Sequence, residues 1–377
     1  MDLTNINQKT DAWKEEVLRR SGHSLLWIGG SEFFTANSDS SLFFDALLAL
    51  HWERIEYLHA KRSYPSHNKV WYNLHCPTPN LRSCSVQWDA YLDESSLFPE
   101  SSPPLFANLV PLLLHFSISC VKLDLKASWL ADLRHFDFWF QLTTIEILRA
   151  LQSMVHLESL GISWEGKKHP RLDSPSHLQI AILPNLIKLR LNHRSLTICN
   201  ALLAHIRPAE GCVLSFDTTL DPGPSLQQEL EQLSFALCSS FRSYLPVKPR
   251  SISQINLTML ANFFTFQCGP PDEWRPWGTK HAPPEFRLCF QASSHPTWSV
   301  LPLMSTFDLS AIQKLRLDVN TRLNVFPYRK YSDFLTFFPS SPPSLILNFE
   351  RACSLQYMIY LSTLVTSTFF LSRTQFS

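Results

Sequence analysis

Leu157-Glu158-Ser159-Leu160-Gly161-Ile162 is the stretch on which the fold turns. Its pattern is L-x-x-L-x-L. Positions four and six alternate along a short extended segment, so Leu160 and Ile162 point to one side while Ser159 and Gly161 point to the other. The same template recurs at Leu81, Cys84, Val86; Leu113, Phe116, Ile118; Leu133, Phe136, Phe138; Leu186, Leu189, Leu191; Ile252, Ile255, Leu257; and Ile312, Leu315, Leu317, with a partial copy at Leu214 and Phe216.

From Leu81 to Leu186 the first positions are separated by 32, 20, 24 and 29 residues, close to the ~20–29 residues of leucine-rich repeats. Intervening segments read as helices. Thr143 and Glu146 form a capping-box pattern ahead of Ile147, Leu148, Leu151 and Met154. Thr197 is a candidate cap for Ile198 to Ile206, and Ser225 starts a longer helix with Leu226, Leu230, Leu233 and Leu237 at helical spacing. Near the amino terminus Phe44, Leu48, Ile55 and Leu58 form an apolar stripe capped near Ser40 or Ser41. The expected fold is therefore α/β: a small helical segment over residues 1–70, then a leucine-rich-repeat solenoid, a horseshoe with a parallel concave sheet, over residues 71–377 and irregular after about residue 220.

Composition sets the functional limits. The 377 residues are 45% hydrophobic and 17% charged, with 27 Phe, 11 Trp and 9 Tyr, which describes a globular chain with a large core. Thirty-three basic against 32 acidic residues leave a net charge of +1, so no bulk field draws the chain to nucleic acid or an anionic membrane. Only nine glycines argue against glycine-rich nucleotide loops. Met1 to Arg20 lacks the apolar run of a secretory signal, and Leu355 to Leu371 is an uncharged stretch of 17 residues, short of the ~20 a spanning helix needs. An intracellular location, cytoplasm or nucleus, is expected, with the carboxy-terminal run a buried element rather than a tail anchor. The nine scattered cysteines include no C-x-x-C pair and read as buried free thiols.

Searches for chemistry end without a constellation. Gly161 through Lys168 approaches the phosphate-loop pattern, but Lys168 stands where a hydroxyl should hold magnesium, and His169-Pro170-Arg171 follows where a helix should begin. Fourteen histidines yield no H-E-x-x-H, and no G-x-S-x-G occurs. Lys167, Lys168, His169 and Arg171 read as a solvated basic loop. No catalytic residue, cofactor or metal is expected. What remains is the side of the strands between the buried positions: Ser83, Ser85, Gln87; His115, Ser117, Ser119; His135, Asp137, Trp139; Ser159, Gly161, Ser163; Lys188, Arg190, Asn192. The solenoid reading puts these on one face. Trp139 beside Asp137 and Arg190 has the aromatic-plus-charge character of interface anchors, so His115, His135, Asp137, Trp139, Ser159, Ser163, Lys188, Arg190 and Asn192 are the candidate protein-binding residues.

Trp13 through Ser21 followed by Leu25-Leu26-Trp27-Ile28, then Lys126 through Arg134, then Leu148 through Ile162, together resemble the F-box and leucine-rich-repeat proteins of mushroom-forming fungi, over roughly residues 13 to 220. The resemblance implies a protein-recognition scaffold, the substrate-binding part of an F-box-like ubiquitin-ligase adaptor, with a protein partner and neither nucleic acid nor membrane as ligand. In that family the F-box precedes the Trp13-like segment. With 12 residues before Trp13, binding to the ligase linker is not expected. The alternatives are a truncated structural remnant and an enzyme whose site follows no known motif.

Overall fold

Six short segments that alternate buried and outward residues pair side by side in the amino-terminal part of the chain. The structure is a computed structural model that describes residues 10–30, 39–62, 69–88, 103–119, 123–139, 142–164, 178–221, 223–244, 254–260, 263–269, 286–292, 307, 314–319 and 344–349. It divides into two compact units, Met1–Leu186 with His205–Pro208, and Ile187–Ala204 with Ala209–Ser377.

The first unit contains α1 (Asp11–Ser21), β1 (Leu26–Gly30), α2 (Asp39–His51), β2 (Ile55–Arg62), β3 (Ser83–Trp88), β4 (His115–Ser119), β5 (His135–Trp139), α3 (Thr144–Leu151), β6 (Ser159–Trp164) and β7 (Ala181–Leu183). Strands β1 to β6 are neighbours in sequence order and all parallel. A separate parallel pair joins β7 to β9 (Ile206–Pro208). One register row, Ile28, Leu58, Cys84, Phe116, Phe136 and Leu160, is buried, and so is the next, Ala60, Val86, Ile118, Phe138 and Ile162. Each such side chain contributes roughly 1.5–3 kcal/mol by leaving water. Short 3-10 segments at Leu105–Asn108 and Ser128–Asp132 supply the facing layer, where Phe116 meets Phe106 at 5.9 Å and Trp129 at 5.0 Å, both edge-on. Helix α3 carries the expected capping box: Thr143 Oγ1 accepts from the Glu146 backbone N–H at 3.2 Å, and the Thr143 N–H donates to Glu146 Oε2 at 2.9 Å.

The connection before β4 holds three consecutive left-handed residues, Phe106 (φ 55°), Ala107 (φ 46°) and Asn108 (φ 59°). A left-handed non-glycine residue costs about 1–2 kcal/mol. Burial of Phe106 and the bonds Leu109 N–H to Phe106 C=O (2.8 Å) and Thr78 N–H to Leu109 C=O (3.2 Å) hold the turn in place. Ala107→Gly relieves the strain at its own position and gives back part of the gain as unfolded-state entropy. A net stabilisation of about 0.5–1 kcal/mol is expected in urea unfolding; destabilisation by the glycine would contradict this account.

The second unit contains β8 (Lys188–His193), α4 (Leu196–His205), β10 (Val213–Leu220), α5 (Leu226–Tyr244), β11 (Gln254–Leu260), β12 (Phe263–Gly269), β13 (Phe286–Ala292), β14 (Lys314–Val319) and β15 (Ser344–Phe349). Its strands run β8-β10-β13-β12-β11-β14-β15, with β12 antiparallel to both neighbours and the other pairs parallel. Leu230, Leu233, Leu237 and Phe241 of α5 are buried, and Phe241 packs edge-on against Phe266, Phe286 and Phe307.

The leucine-rich-repeat horseshoe expected from the spacing is not the architecture. The chain is α/β with mostly parallel pairing. In a repeat solenoid each strand pairs with the strands before and after it in sequence, whereas β13 lies between β10 and β12, β11 lies between β12 and β14, and β12 runs against both neighbours. The template reports only that one side of a strand is buried, a condition any such strand satisfies. Ile255 and Leu257 match it from within an antiparallel pair. Three local expectations are corrected too. Ile55 and Leu58 belong to β2, not to a helical stripe with Phe44 and Leu48; α4 starts at Leu196, ahead of Thr197, and Ile206 is already in β9; Cys76 is exposed, while Cys84, Cys199, Cys212, Cys238, Cys268 and Cys289 are buried free thiols. Residues 165–171 and 355–371 lie outside the described residues.

Candidate functional site

With the apolar side of β1–β6 covered, the other side is the surface on which the first unit displays chemistry. Register places Trp27, Tyr57, Ser83, His115, His135 and Ser159 in one row across all six strands, and His59, Ser85, Ser117, Asp137 and Gly161 in the next. Trp139 pairs with Ser119 one step further along β5. His115 is exposed; His135, Asp137, Trp139 and Ser159 are half-buried; Ser163 is buried.

Three features organise the row. At one end the rings of Trp27 and Tyr57 lie 4.6 Å apart, tilted by 58°, and Trp27 Nε1 donates to Glu56 Oε2 at 2.7 Å. Trp27 is 44% exposed, a large aromatic held in place yet open to contact. Further along, the His115 and His135 imidazoles stack at 4.1 Å with 24° between planes. The flanking charges close on one another: Arg82 with Glu56 at 3.1 Å and Arg134 with Glu158 at 3.1 Å, while Glu158 Oε2 stands 3.9 Å from His135 Nε2.

Burial first, and then the neighbouring His135, holds the His115 imidazole below its ordinary value of 6.5, against the pull of Glu158. The folded chain therefore takes up this proton at lower pH than the unfolded chain. The contribution of the neutral ring is complete above about 6.5 and is lost as pH falls below it. Urea midpoints compared at about pH 7.5 and about pH 5.5 should drop less in His115→Gln than in the parent; an equal drop would mean that other groups carry the dependence.

Lys188, Arg190 and Asn192 belong to the second unit, where they form the outward register of β8. Arg190 is in a row with Ser215 and Arg287, and Asn192 in a row with Asp217 and Cys289; Arg287 Nη2 lies 3.7 Å from Asp217 Oδ1. Burial, with Asp217 alongside, pushes the Cys289 thiol up to about 12, so it stays protonated and is a poor nucleophile at neutral pH. Cys84 and Cys212 are likewise pushed up to about 12 by burial. His193 is consumed structurally: its Nδ1 accepts from the Ser195 N–H at 2.8 Å and its carbonyl accepts from Thr218 Oγ1 at 2.7 Å, which fixes the entry to α4. Among the described residues no three or more His, Cys, Asp or Glu converge as metal ligands, and no helix is long and apolar enough to cross a membrane. A small cleft beside α3, lined by Ile145, Leu148, Arg149 and Gln179, carries Arg149 as its one charged group.

Sequence reasoning missed Trp27 and Tyr57. β1 lacks the template's first apolar position, where His23 stands, and β2 fits it at Ile55, Leu58 and Ala60, a match that the helical-stripe reading of Ile55 and Leu58 conceals. The available signal was the alternation Leu26, Trp27, Ile28.

No protein-family model matches the chain, and a search of curated proteins found no match either.

Proposed function

We propose that the chain is a non-catalytic protein-recognition scaffold that binds its partner through the outward side of β1–β6, a role like that of the substrate-binding part of an F-box-like adaptor. The observation that carries this reading is the row Trp27, Tyr57, Ser83, His115, His135, Ser159. It displays rigid aromatic and imidazole plates on a sheet whose opposite side is fully buried. Large side chains pre-set by neighbours lose little entropy on contact, which suits them as interface anchors. The paired charges at the margin resemble an interface rim, which orients a partner more than it adds affinity.

A photo-crosslinking residue placed at Ser117, on the same side, tests the reading. A discrete crosslinked protein is expected, with its yield cut at least tenfold by Trp27→Ala or His115→Ala while melting is nearly unchanged. No discrete product, or equal yield in both variants, would overturn it.

A further inference from the structure

The spacing along this row defines a slot. Ser83 of β3 has Tyr57 of β2 on one side and His115 of β4 on the other, all three in register. Neighbouring strands are about 4.8 Å apart, so the two flanking side chains rise from backbones ~9.6 Å apart, with only a serine between them. Ring orientation sharpens the picture. His115 stacks on His135, its register partner, at 4.1 Å and 24°, so the ring normals run across the strands. One imidazole face meets His135 and the other looks over Ser83. On the far side Tyr57 is backed by Trp27 at 4.6 Å, which limits its retreat. A planar group in contact with two rings needs roughly 3.5–4 Å on each side, or about 7–8 Å between them. The flanking Arg82–Glu56 and Arg134–Glu158 pairs are closed, so neither pair offers an unbalanced charge to draw a phosphate or an isolated cation.

We infer that the space over Ser83, between Tyr57 and His115, is a recognition slot for one neutral planar side chain, an aromatic residue of the partner protein, seated between the two rings with the Ser83 hydroxyl beneath it. This deepens the recognition reading above and rests on it.

Two measurements on the full chain with 13C-labelled histidine and tyrosine separate failure of the slot from failure of that reading. The first needs no ligand. Ser83→Phe places an aromatic ring in the slot, and the His115 ring protons should move upfield through its ring current while His59 and His205 stay put. An unmoved His115 in a folded variant would overturn the slot, although the face could still bind proteins. The second titrates N-acetyl-tryptophanamide, with adenosine in a parallel arm. A saturable shift of His115 by the tryptophan analogue is expected, weakened about tenfold by His115→Ala as read at Tyr57 and lost in Ser83→Phe. No shift with the upfield movement intact would overturn binding by the slot and count against the recognition reading; tighter binding of adenosine would overturn the aromatic side-chain assignment in favour of a base.

Discussion

Leu160→Asp should unfold the first unit, at a cost of about 3–5 kcal/mol, because it places an unpaired carboxylate in the middle of a fully buried row. Ser159→Asp, one residue earlier, should cost less than about 1 kcal/mol. Its carboxylate would emerge on the outward side, near His135, which favours it, and Glu158, which does not. Urea unfolding of the two variants beside the parent decides the matter. Equal losses would show that the alternation along β6 does not separate core from surface, and the proposed recognition face would go with it.

A loss of similar size is expected in the second unit for Phe241→Ala. Phe241 is fully buried, with ring centroids of Phe266, Phe286 and Phe307 at 5.8, 5.0 and 4.9 Å. Truncation removes the transfer energy of the ring and leaves a void walled by three aromatic edges, together about 3–5 kcal/mol. Phe235, on the same helix but 76% exposed, provides the control: Phe235→Ala should shift stability by no more than about 0.5 kcal/mol. Comparable effects would mean that α5 is rotated about its axis.

The buried positions were legible in the sequence because burial is a local property. Leu81, Cys84, Val86, Leu113, Phe116, Ile118, Leu157, Leu160 and Ile162 all lie in the core, and period-two alternation marks such residues without regard to what pairs with them. The capping box at Thr143 and the helix after Ser225 were legible for the same reason. Pairing was not. That β10 takes β13 as neighbour, and that β12 reverses direction, are long-range choices made by shape and by the chain between, and the template is blind to both. The face was half legible. Alternation put His115, His135, Asp137 and Ser159 on one side, where register also has them, but Trp27 lay on a strand without the template's first position and Tyr57 on one whose Ile55 and Leu58 also suit a helical stripe. Lys188, Arg190 and Asn192, grouped with them by the solenoid reading, belong to the other unit.

The strand order also sets a timetable for synthesis. In the first unit His115 finds its partner His135 only twenty residues later, so each strand can pair soon after it leaves the ribosome. Ser215 of β10 must wait for Arg287, seventy-two residues on. At ~5–20 residues per second that is several seconds during which one side of β10 has no partner. An unpaired strand is a template for foreign strands, so nascent chains paused between β10 and β13 are where misassembly of this protein should concentrate.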